Sequence, residues 1–105
     1  MEKITLAGVE YELPVINFGG VRKLSKLGFN FNSIEEMEQN KFEFMSIMVA
    51  FITNKTLEEA DDIIENSYNN ADELIELIEK LAQYFRESDF FKKMQAESKK
   101  PTQKK

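Results

Sequence analysis

The segment "FEFMSIMVAFI", from Phe42 to Ile52, is the most apolar stretch of the sequence and most strongly limits what the chain can fold into. Only Glu43 and Ser46 are clearly polar within it. A transmembrane helix needs about 20 mostly apolar residues, and polar residues follow this shorter run directly. We therefore expect no membrane span. The segment must face either the core of the protein or another protein.

The composition indicates a small, non-catalytic cytoplasmic protein. Its 105 residues and 42% hydrophobic content are enough for a single domain with a modest core. The lack of cysteine and histidine removes the usual thiol nucleophile, neutral-pH base and zinc ligands. The net charge of −5 disfavours a nucleic-acid partner, because phosphate binding needs a basic face. The N-terminal "MEKITLAGVEYEL" lacks the basic region and apolar core of an export signal, so we expect a cytoplasmic location.

Two short motifs resemble functional loops, and neither matches the required pattern. "FGG", residues 18–20, has neither the spacing of a dinucleotide-binding loop nor the Lys-Ser or Lys-Thr of a P-loop, so the flexible start of a helix is favoured. "EEADD", residues 58–62, lacks the alternating aspartates and the glycine of a calcium loop. Acidic residues are common near a helix N-terminus for electrostatic reasons. We therefore predict no catalytic residue, no metal site and no cofactor.

The first part of the chain is predicted to form a β-hairpin and a short helix. Between Lys3 and Leu13, apolar and polar residues alternate on both sides of an Ala-Gly turn, which is typical of a hairpin. Pro14 then ends the second strand, since proline has no N–H to donate. A helix is predicted over residues 15–28, because apolar residues recur there at helical spacing and Gly28 is a typical helix end.

Three further helices are predicted from their start signals. Ser33 and Glu36 form a capping-box pattern ahead of "IEEMEQNKFEFMSIMVAFI", which we expect to be one helix of about five turns. Thr56 and Glu59 repeat this pattern ahead of a third helix. Asn70 is the predicted N-cap of a fourth, which has a clean apolar stripe.

These patterns predict a fold that is mainly α, with a small N-terminal β-hairpin followed by about four helices in a single domain. We expect this domain to span residues 1–97 and the basic tail, residues 98–105, to be disordered. Charge is unevenly divided, because residues 33–89 contain 15 acidic and 4 basic side chains. The acidic helices are therefore expected to lie between basic ends.

The apolar segment covers an unusually wide arc of its predicted helix, roughly twice the stripe needed to pack on one neighbour. Phe44, Met48 and Phe51 lie at the centre of the arc and are predicted core residues. One explanation is that this helix is central and buried on several sides. We favour the other, a partner-binding surface, because a small domain has little material to cover such an arc and methionines adapt to varied partners. The predicted partner-binding residues are Phe42, Met45, Ile47 and Val49.

The order of segments resembles a known family. "ITLAGVEYEL" is followed by "NFGGVRKLSKLGFNF" and then by "TLEEADDIIENSYNNADELIELIEKLAQYFRESDFFKKM". From Lys3 to about Met94, the chain resembles the tail assembly chaperones of long-tailed phages and prophages of low-GC Gram-positive bacteria. The resemblance lies in the order and texture of these segments, and no invariant chemical motif supports it.

This resemblance implies a helical protein with a small N-terminal hairpin, no catalytic activity and no cofactor. Such chaperones bind the long tape measure protein and keep it soluble until tail tube subunits polymerise around it, and they are absent from the mature virion. The expected partners are the tape measure protein and, through self-association, further copies of the chain, in the cytoplasm of the bacterial host. The alternative is a small acidic adaptor or structural phage or prophage protein that acts through protein–protein contacts only.

Overall fold

The computed structural model describes residues 2–94, and its chain begins with the predicted hairpin. Strand β1 (Lys3–Leu6) pairs antiparallel with β2 (Val9–Glu12), and Leu6 lies opposite Val9. The two turn residues, Ala7 and Gly8, both have positive φ, 52° and 79°, as a type I′ turn requires. The alternation of apolar and polar residues around this turn therefore predicted the hairpin correctly.

Helices make up most of the described residues, which confirms the mainly α fold class with its N-terminal hairpin. A further helical segment, residues 89–94, follows the last of the named helices. The predicted domain end at residue 97 and the predicted tail, residues 98–105, lie outside the described residues. The named helices are α1 (Phe18–Leu27), α2 (Ile34–Gln39), α3 (Lys41–Thr53), α4 (Leu57–Glu65) and α5 (Ala71–Arg86).

Several predicted helix boundaries have the expected cap geometry. Gly28 follows α1 with a φ of 114°, in the left-handed region that favours glycine. Thr56 and Glu59 form a complete capping box at the start of α4. The side chain of Asn70 accepts a hydrogen bond from the backbone N–H of Glu73 at 2.9 Å and caps α5.

The predicted five-turn helix after Ser33 is wrong as a continuous helix. It divides at Asn40, whose ψ of 76° lies outside the helical region. Asn40 donates its N–H to Glu36 and accepts from the N–H of Phe44, so the break leaves neither of these backbone groups without a partner. Ser33 makes no side-chain capping bond, so its capping box is not formed. This division is the reason why the named helices number five and not the predicted four.

Helix α3 is the centre of the fold, because it contacts β2 and each of the other four named helices. Seven of its thirteen residues are buried. The apolar segment therefore faces mainly its own chain, which is the explanation that we did not favour from the sequence. The buried residues of α3 are Phe44, Met45, Ile47, Met48, Val49, Ala50 and Ile52.

An aromatic cluster joins the loop after α1 to α3 and α5. The ring centroid of Phe85 lies 5.1 Å from that of Phe29 and 6.2 Å from that of Phe44. Phe91, in the last helical segment, packs edge-on against Phe85 with a centroid distance of 5.2 Å. Such pairs contribute about 0.5–1.5 kcal/mol each beyond the area they bury. The cluster therefore holds the C-terminal helical segment against the core.

Candidate protein-binding surfaces

The structure separates the four predicted partner-binding residues into one exposed and three buried positions. Phe42 is 68% exposed, whereas Met45, Ile47 and Val49 are at most 1% exposed. The prediction that these three are available to a partner is wrong, because the neighbours of α3 cover them. The accessibility of Phe42 is as expected, and its role in binding stays a prediction.

The predicted core residues at the centre of the arc are largely where the sequence placed them. Phe44 and Met48 are buried. Phe51 is only half-buried, near the C-terminal end of α3. There its ring packs against Gly20, where a Cβ atom would lie 3.2 Å from the Phe51 ring. The start of α1 thus approaches this end of α3 closely.

An apolar groove lies between the N-terminal end of α3 and the outer face of α5. We call this cavity of about 650 Å³ the α3/α5 groove. Its apolar lining includes Ile75, which is 52% exposed. Charged and polar side chains form its rim, as is usual for a protein-binding groove. The apolar lining residues are Phe44, Ile75, Ile78 and Ala82, and the rim residues are Glu38, Lys41, Glu79, Gln83, Arg86 and Glu87.

A paired arginine and glutamate link α2 to α5 at the rim of this groove. Arg86 donates from Nε to Oε2 of Glu38 at 3.2 Å and from Nη2 to Oε1 at 3.3 Å. Both side chains are partly exposed, so the pair stabilises the fold by no more than about 1 kcal/mol. The other charged rim residues, Lys41, Glu79 and Glu87, are exposed and make no salt bridge within residues 2–94. Glu87 accepts a hydrogen bond from the side-chain amide of Gln83 at 3.0 Å.

A smaller cavity of about 210 Å³ lies beside Phe42 and is lined by residues of α3, α4 and α5. Leu74 lines this cavity, whereas the next residue, Ile75, lines the α3/α5 groove. Similarly, Phe42 lines the small cavity and Lys41 the groove. The two depressions are therefore neighbours, and the exposed side chains of Phe42 and Ile75 belong to one end of the domain.

A second apolar surface lies at the start of α1. Val15 and Phe18 are each 73% exposed, the highest values among the large hydrophobic residues of the described chain. A shallow cavity of about 400 Å³ beside them is lined by Val15, Lys23 and Phe51, among others. Arg22 and Lys23 are exposed on the same helix. We call Val15, Phe18, Arg22 and Lys23 the α1 patch.

The sequence contained a partial signal for these exposed residues. Phe18 lies about 120° around α1 from the middle of its apolar stripe, at 100° per residue, so it does not face the core. Ile75 lies at the edge of the apolar stripe of α5. Periodicity thus shows that both residues are off the buried face. It does not show which of them lies beside a groove, since that depends on the neighbouring helices.

The shifted pKa values of Glu59 and Tyr84 have structural causes. The backbone N–H of Thr56 donates to the carboxylate of Glu59 at 3.1 Å and lowers the pKa of Glu59. Burial raises the pKa of Tyr84, whose hydroxyl donates to the carbonyl of Pro14.

Residues 2–94 contain no group of three His, Cys, Asp or Glu side chains arranged to hold a metal ion. Within the same residues, no helix is long and apolar enough to cross a membrane.

Comparison of the chain with protein-family models, curated proteins and solved structures gives no match. The two surfaces described above are therefore the basis for any functional assignment, together with the resemblance noted in the sequence. Both surfaces are apolar with charged edges, and the α3/α5 groove is the larger cavity. This arrangement is suited to binding a protein segment.

Proposed function

We propose that this protein is a non-catalytic tail assembly chaperone, which binds the tape measure protein of a long-tailed phage or prophage and keeps it soluble during tail assembly. The resemblance of the sequence to that family motivates the proposal. The structural observation that supports it most is the α3/α5 groove, with the exposed side chain of Ile75 in its lining and that of Phe42 beside it. The proposed place of action is the cytoplasm of the bacterial host, and the protein is absent from the mature virion.

The proposed mode of binding is a helix laid in a groove. An amphipathic client helix places its apolar residues on Ile75, Ile78 and Ala82, which follow one another along α5 at spacings of three and four residues. Helix α5 has 16 residues and is therefore about 24 Å long, enough to support roughly four turns of a client. The rim has three glutamates against Lys41 and Arg86, a net charge of −1, and therefore weakly favours client helices whose flanks are basic.

Reversible binding is a requirement of the proposed function, because tube subunits must later replace the chaperone. The groove meets this requirement, since its apolar lining is short and its rim is exposed to solvent and salt. A shallow contact of this kind fits the small interfaces of weak, transient complexes. Many such sites along a long client keep it soluble without holding any part of it permanently.

A co-expression experiment tests the proposal. The tape measure protein is produced in a bacterial host alone, with the wild-type chain, and with Ile75→Asp, and its soluble fraction is measured after lysis. We expect the wild-type chain to raise this fraction severalfold and Ile75→Asp to lose most of the gain, because the variant places a charge in the apolar groove. Val9→Asp is the matched control, since Val9 is 51% exposed on the hairpin and does not line the groove.

The exposed carboxylates of α4 favour the second candidate, an acidic adaptor that acts through that helix. Glu58, Asp61, Asp62 and Glu65 are all exposed. An adaptor of this kind does not change the solubility of the tape measure protein. A soluble fraction that is the same with and without the wild-type chain therefore contradicts the chaperone proposal and supports the adaptor.

A further inference from the structure

The first strand of the hairpin has a free edge. The backbone N–H of Leu13 donates to the carbonyl of Glu2 at 3.0 Å, so these two residues form a hydrogen-bonded pair. Such pairs alternate with non-hydrogen-bonded pairs along an antiparallel ladder. The N–H and C=O groups of Lys3 and Thr5 therefore point away from β2. None of these four groups makes a hydrogen bond to another group within residues 2–94.

Two cavities lie along this free edge, between β1 and α5. They have volumes of about 410 and 280 Å³, and both are lined by Ile4, Thr5 and Lys80. No residue from Val9 to Glu12 lines either of them, so they lie on the side of β1 that faces away from β2. We call the two neighbouring cavities the β1/α5 groove. The residues on the α5 side of this groove are Glu73, Glu76, Leu77, Lys80, Gln83, Tyr84 and Glu87.

The β1/α5 groove has the length of an extended peptide of about six residues. Glu73 and Glu87 are fourteen residues apart, which corresponds to about 21 Å along a helix axis. An extended chain rises about 3.4 Å per residue. The strand side of the groove offers main-chain donors and acceptors, and the helix side offers side chains. A peptide that adds a strand to a sheet edge needs both, since main-chain bonds give affinity and side-chain contacts give specificity.

Carboxylates outnumber cations in this groove. Its charged lining residues are four glutamates and two lysines, which gives a net charge of −2. Glu73 accepts a hydrogen bond from the backbone N–H of Asn69 at 2.9 Å, and Lys3 lies 3.7 Å from Glu10. Lys80 makes no salt bridge within residues 2–94. A basic segment is therefore favoured over an acidic one. The charged lining residues are Glu2, Lys3, Glu73, Glu76, Lys80 and Glu87.

We propose that an extended, basic segment of another protein binds in the β1/α5 groove and adds a third strand to the hairpin. Its main chain exchanges hydrogen bonds with Lys3 and Thr5 along the free edge of β1. Alternate side chains of the segment point inward, so they are apolar and lie near Ile4 and Leu77. The remaining side chains include the basic residues that face the carboxylates. This site is separate from the α3/α5 groove and does not depend on the proposed function.

A second copy of the chain does not fit this site. The free edge of its own β1 is flanked by its own α5, and this helix would collide with α5 of the first copy. The free edge of its β2 carries Glu10 and Glu12, which would bring two more carboxylates to an acidic groove. The segment must therefore come from a different protein.

Titration of the isotope-labelled full chain with a synthetic peptide, followed by NMR, tests the proposal. The peptide has about six residues, blocked ends, and valine alternating with lysine and threonine. We expect a Kd of about 1 mM or lower. Bound peptide should shift the amide signals of Lys3 and Thr5 and slow their hydrogen exchange, because both N–H groups gain acceptors. The same peptide with glutamate in place of lysine should bind more weakly, and equal binding would contradict a basic partner.

Two changes test the main-chain hydrogen bonds directly. N-methylation of the peptide amides removes its donors without changing its side chains, and is expected to abolish binding. Thr5→Pro removes an outward N–H from β1 and should weaken binding at least about tenfold. Glu10→Pro is the matched control, since Glu10 lies opposite Thr5 and its N–H points outward at the other edge. Neither proline removes a bond of the hairpin ladder. The methylated peptide needs no variant, so its result does not depend on the folding of Thr5→Pro.

Four results would overturn the proposal. The first is the absence of shifts at Lys3 and Thr5 with several millimolar peptide, and the second is equal binding of the methylated peptide. The third is a folded Thr5→Pro variant that binds as tightly as Glu10→Pro. The fourth is slow exchange at Lys3 and Thr5 before any peptide is added, which would mean that a second copy or residues 95–105 occupy the edge. Client solubility judges the proposed function separately, since Ile75 does not line the β1/α5 groove.

Discussion

Phe42 and Val49 lie on the same face of α3, two turns apart, yet Phe42 is 68% exposed and Val49 is fully buried. The position of α4 explains the difference. Only three residues join α3 to α4, and the hydroxyl of Ser46 donates to Asp61 at 2.5 Å, so the two helices pack side by side and antiparallel. One turn before Ser46, Phe42 therefore lies at the level of Glu65, where α4 ends. Helical periodicity determines the face, and the length of the neighbouring helix determines whether that face is covered.

Substitutions at these two positions are therefore expected to have opposite effects on stability. Val49→Lys buries a charge without a partner and should lower the free energy of unfolding by more than about 3 kcal/mol. Phe42→Asp should leave it within about 0.5 kcal/mol, because the side chain is exposed and an acid in the first turn of a helix is favourable. Urea denaturation followed by circular dichroism measures both values. Equal destabilisation by the two changes would show that Phe42 belongs to the core.

The aromatic cluster around Phe85 should be the most sensitive part of the core. Phe85→Ala removes a fully buried ring and is expected to cost about 3–5 kcal/mol, a large part of the ~5–15 kcal/mol of a typical domain. Phe18→Ala is the matched control, since the same truncation at an exposed position should change the free energy of unfolding by less than about 0.5 kcal/mol. Thermal melts that place both variants at the same midpoint would contradict the assignment of Phe85 to the core.

Two similar capping patterns in the sequence should respond differently to mutation. Thr56→Ala removes the oxygen that accepts the N–H of Glu59 at 3.1 Å, and should destabilise the domain by about 1 kcal/mol. Ser33→Ala should have almost no effect, because Ser33 makes no side-chain capping bond. Chemical denaturation of the two variants measures the difference. A loss at Ser33 as large as at Thr56 would mean that the first capping box forms as well.

The capping carboxylate of Glu59 should also give a small pH dependence. Its pKa is lower in the folded chain than the ordinary value of 4.5, chiefly because it accepts the backbone N–H of Thr56. A lowered folded-state pKa means that the stabilisation is fully present above about pH 4.5 and is lost as the pH falls through the folded value. Compared with Glu59→Gln, the wild type should therefore lose its advantage in melting temperature below this pH. A difference that does not change with pH contradicts this account.

The parts of the fold that the sequence predicted are those set by local interactions. The positive φ values at the Ala7-Gly8 turn and the caps at Thr56 and Asn70 depend on a few neighbouring residues, and the corresponding patterns were sufficient. The break at Asn40 was missed, because the flanking residues favour a helix and the division depends on how α2 and α3 pack. The burial of Ile47 was missed for a related reason. A helical wheel describes one helix and contains no information about how many neighbours surround it.

A single long-range hydrogen bond ties the N-terminal region to α5. The hydroxyl of Tyr84 donates to the backbone carbonyl of Pro14, directly after the hairpin, and the Tyr84 side chain is half-buried. Removing this donor in Tyr84→Phe leaves the Pro14 carbonyl without that partner and is expected to cost about 1 kcal/mol. In this variant, the amide exchange rate should increase more in residues 3–12 than in α3, because the hydrogen bond that is lost holds the hairpin and not the central helix.

The titration of Tyr84 measures the burial of the same side chain. Burial raises its pKa above the ordinary value of 10.0, so the stabilisation by the neutral phenol is present below pH 10 and is lost as the pH rises further. An ultraviolet titration of the wild type should therefore show one of the three tyrosines ionising later than the others, together with the loss of helical circular dichroism. Tyr84→Phe should abolish this late step. A late step that persists in the variant would show that a different tyrosine ionises late, and three tyrosines that ionise together in the wild type would show that Tyr84 is open to solvent.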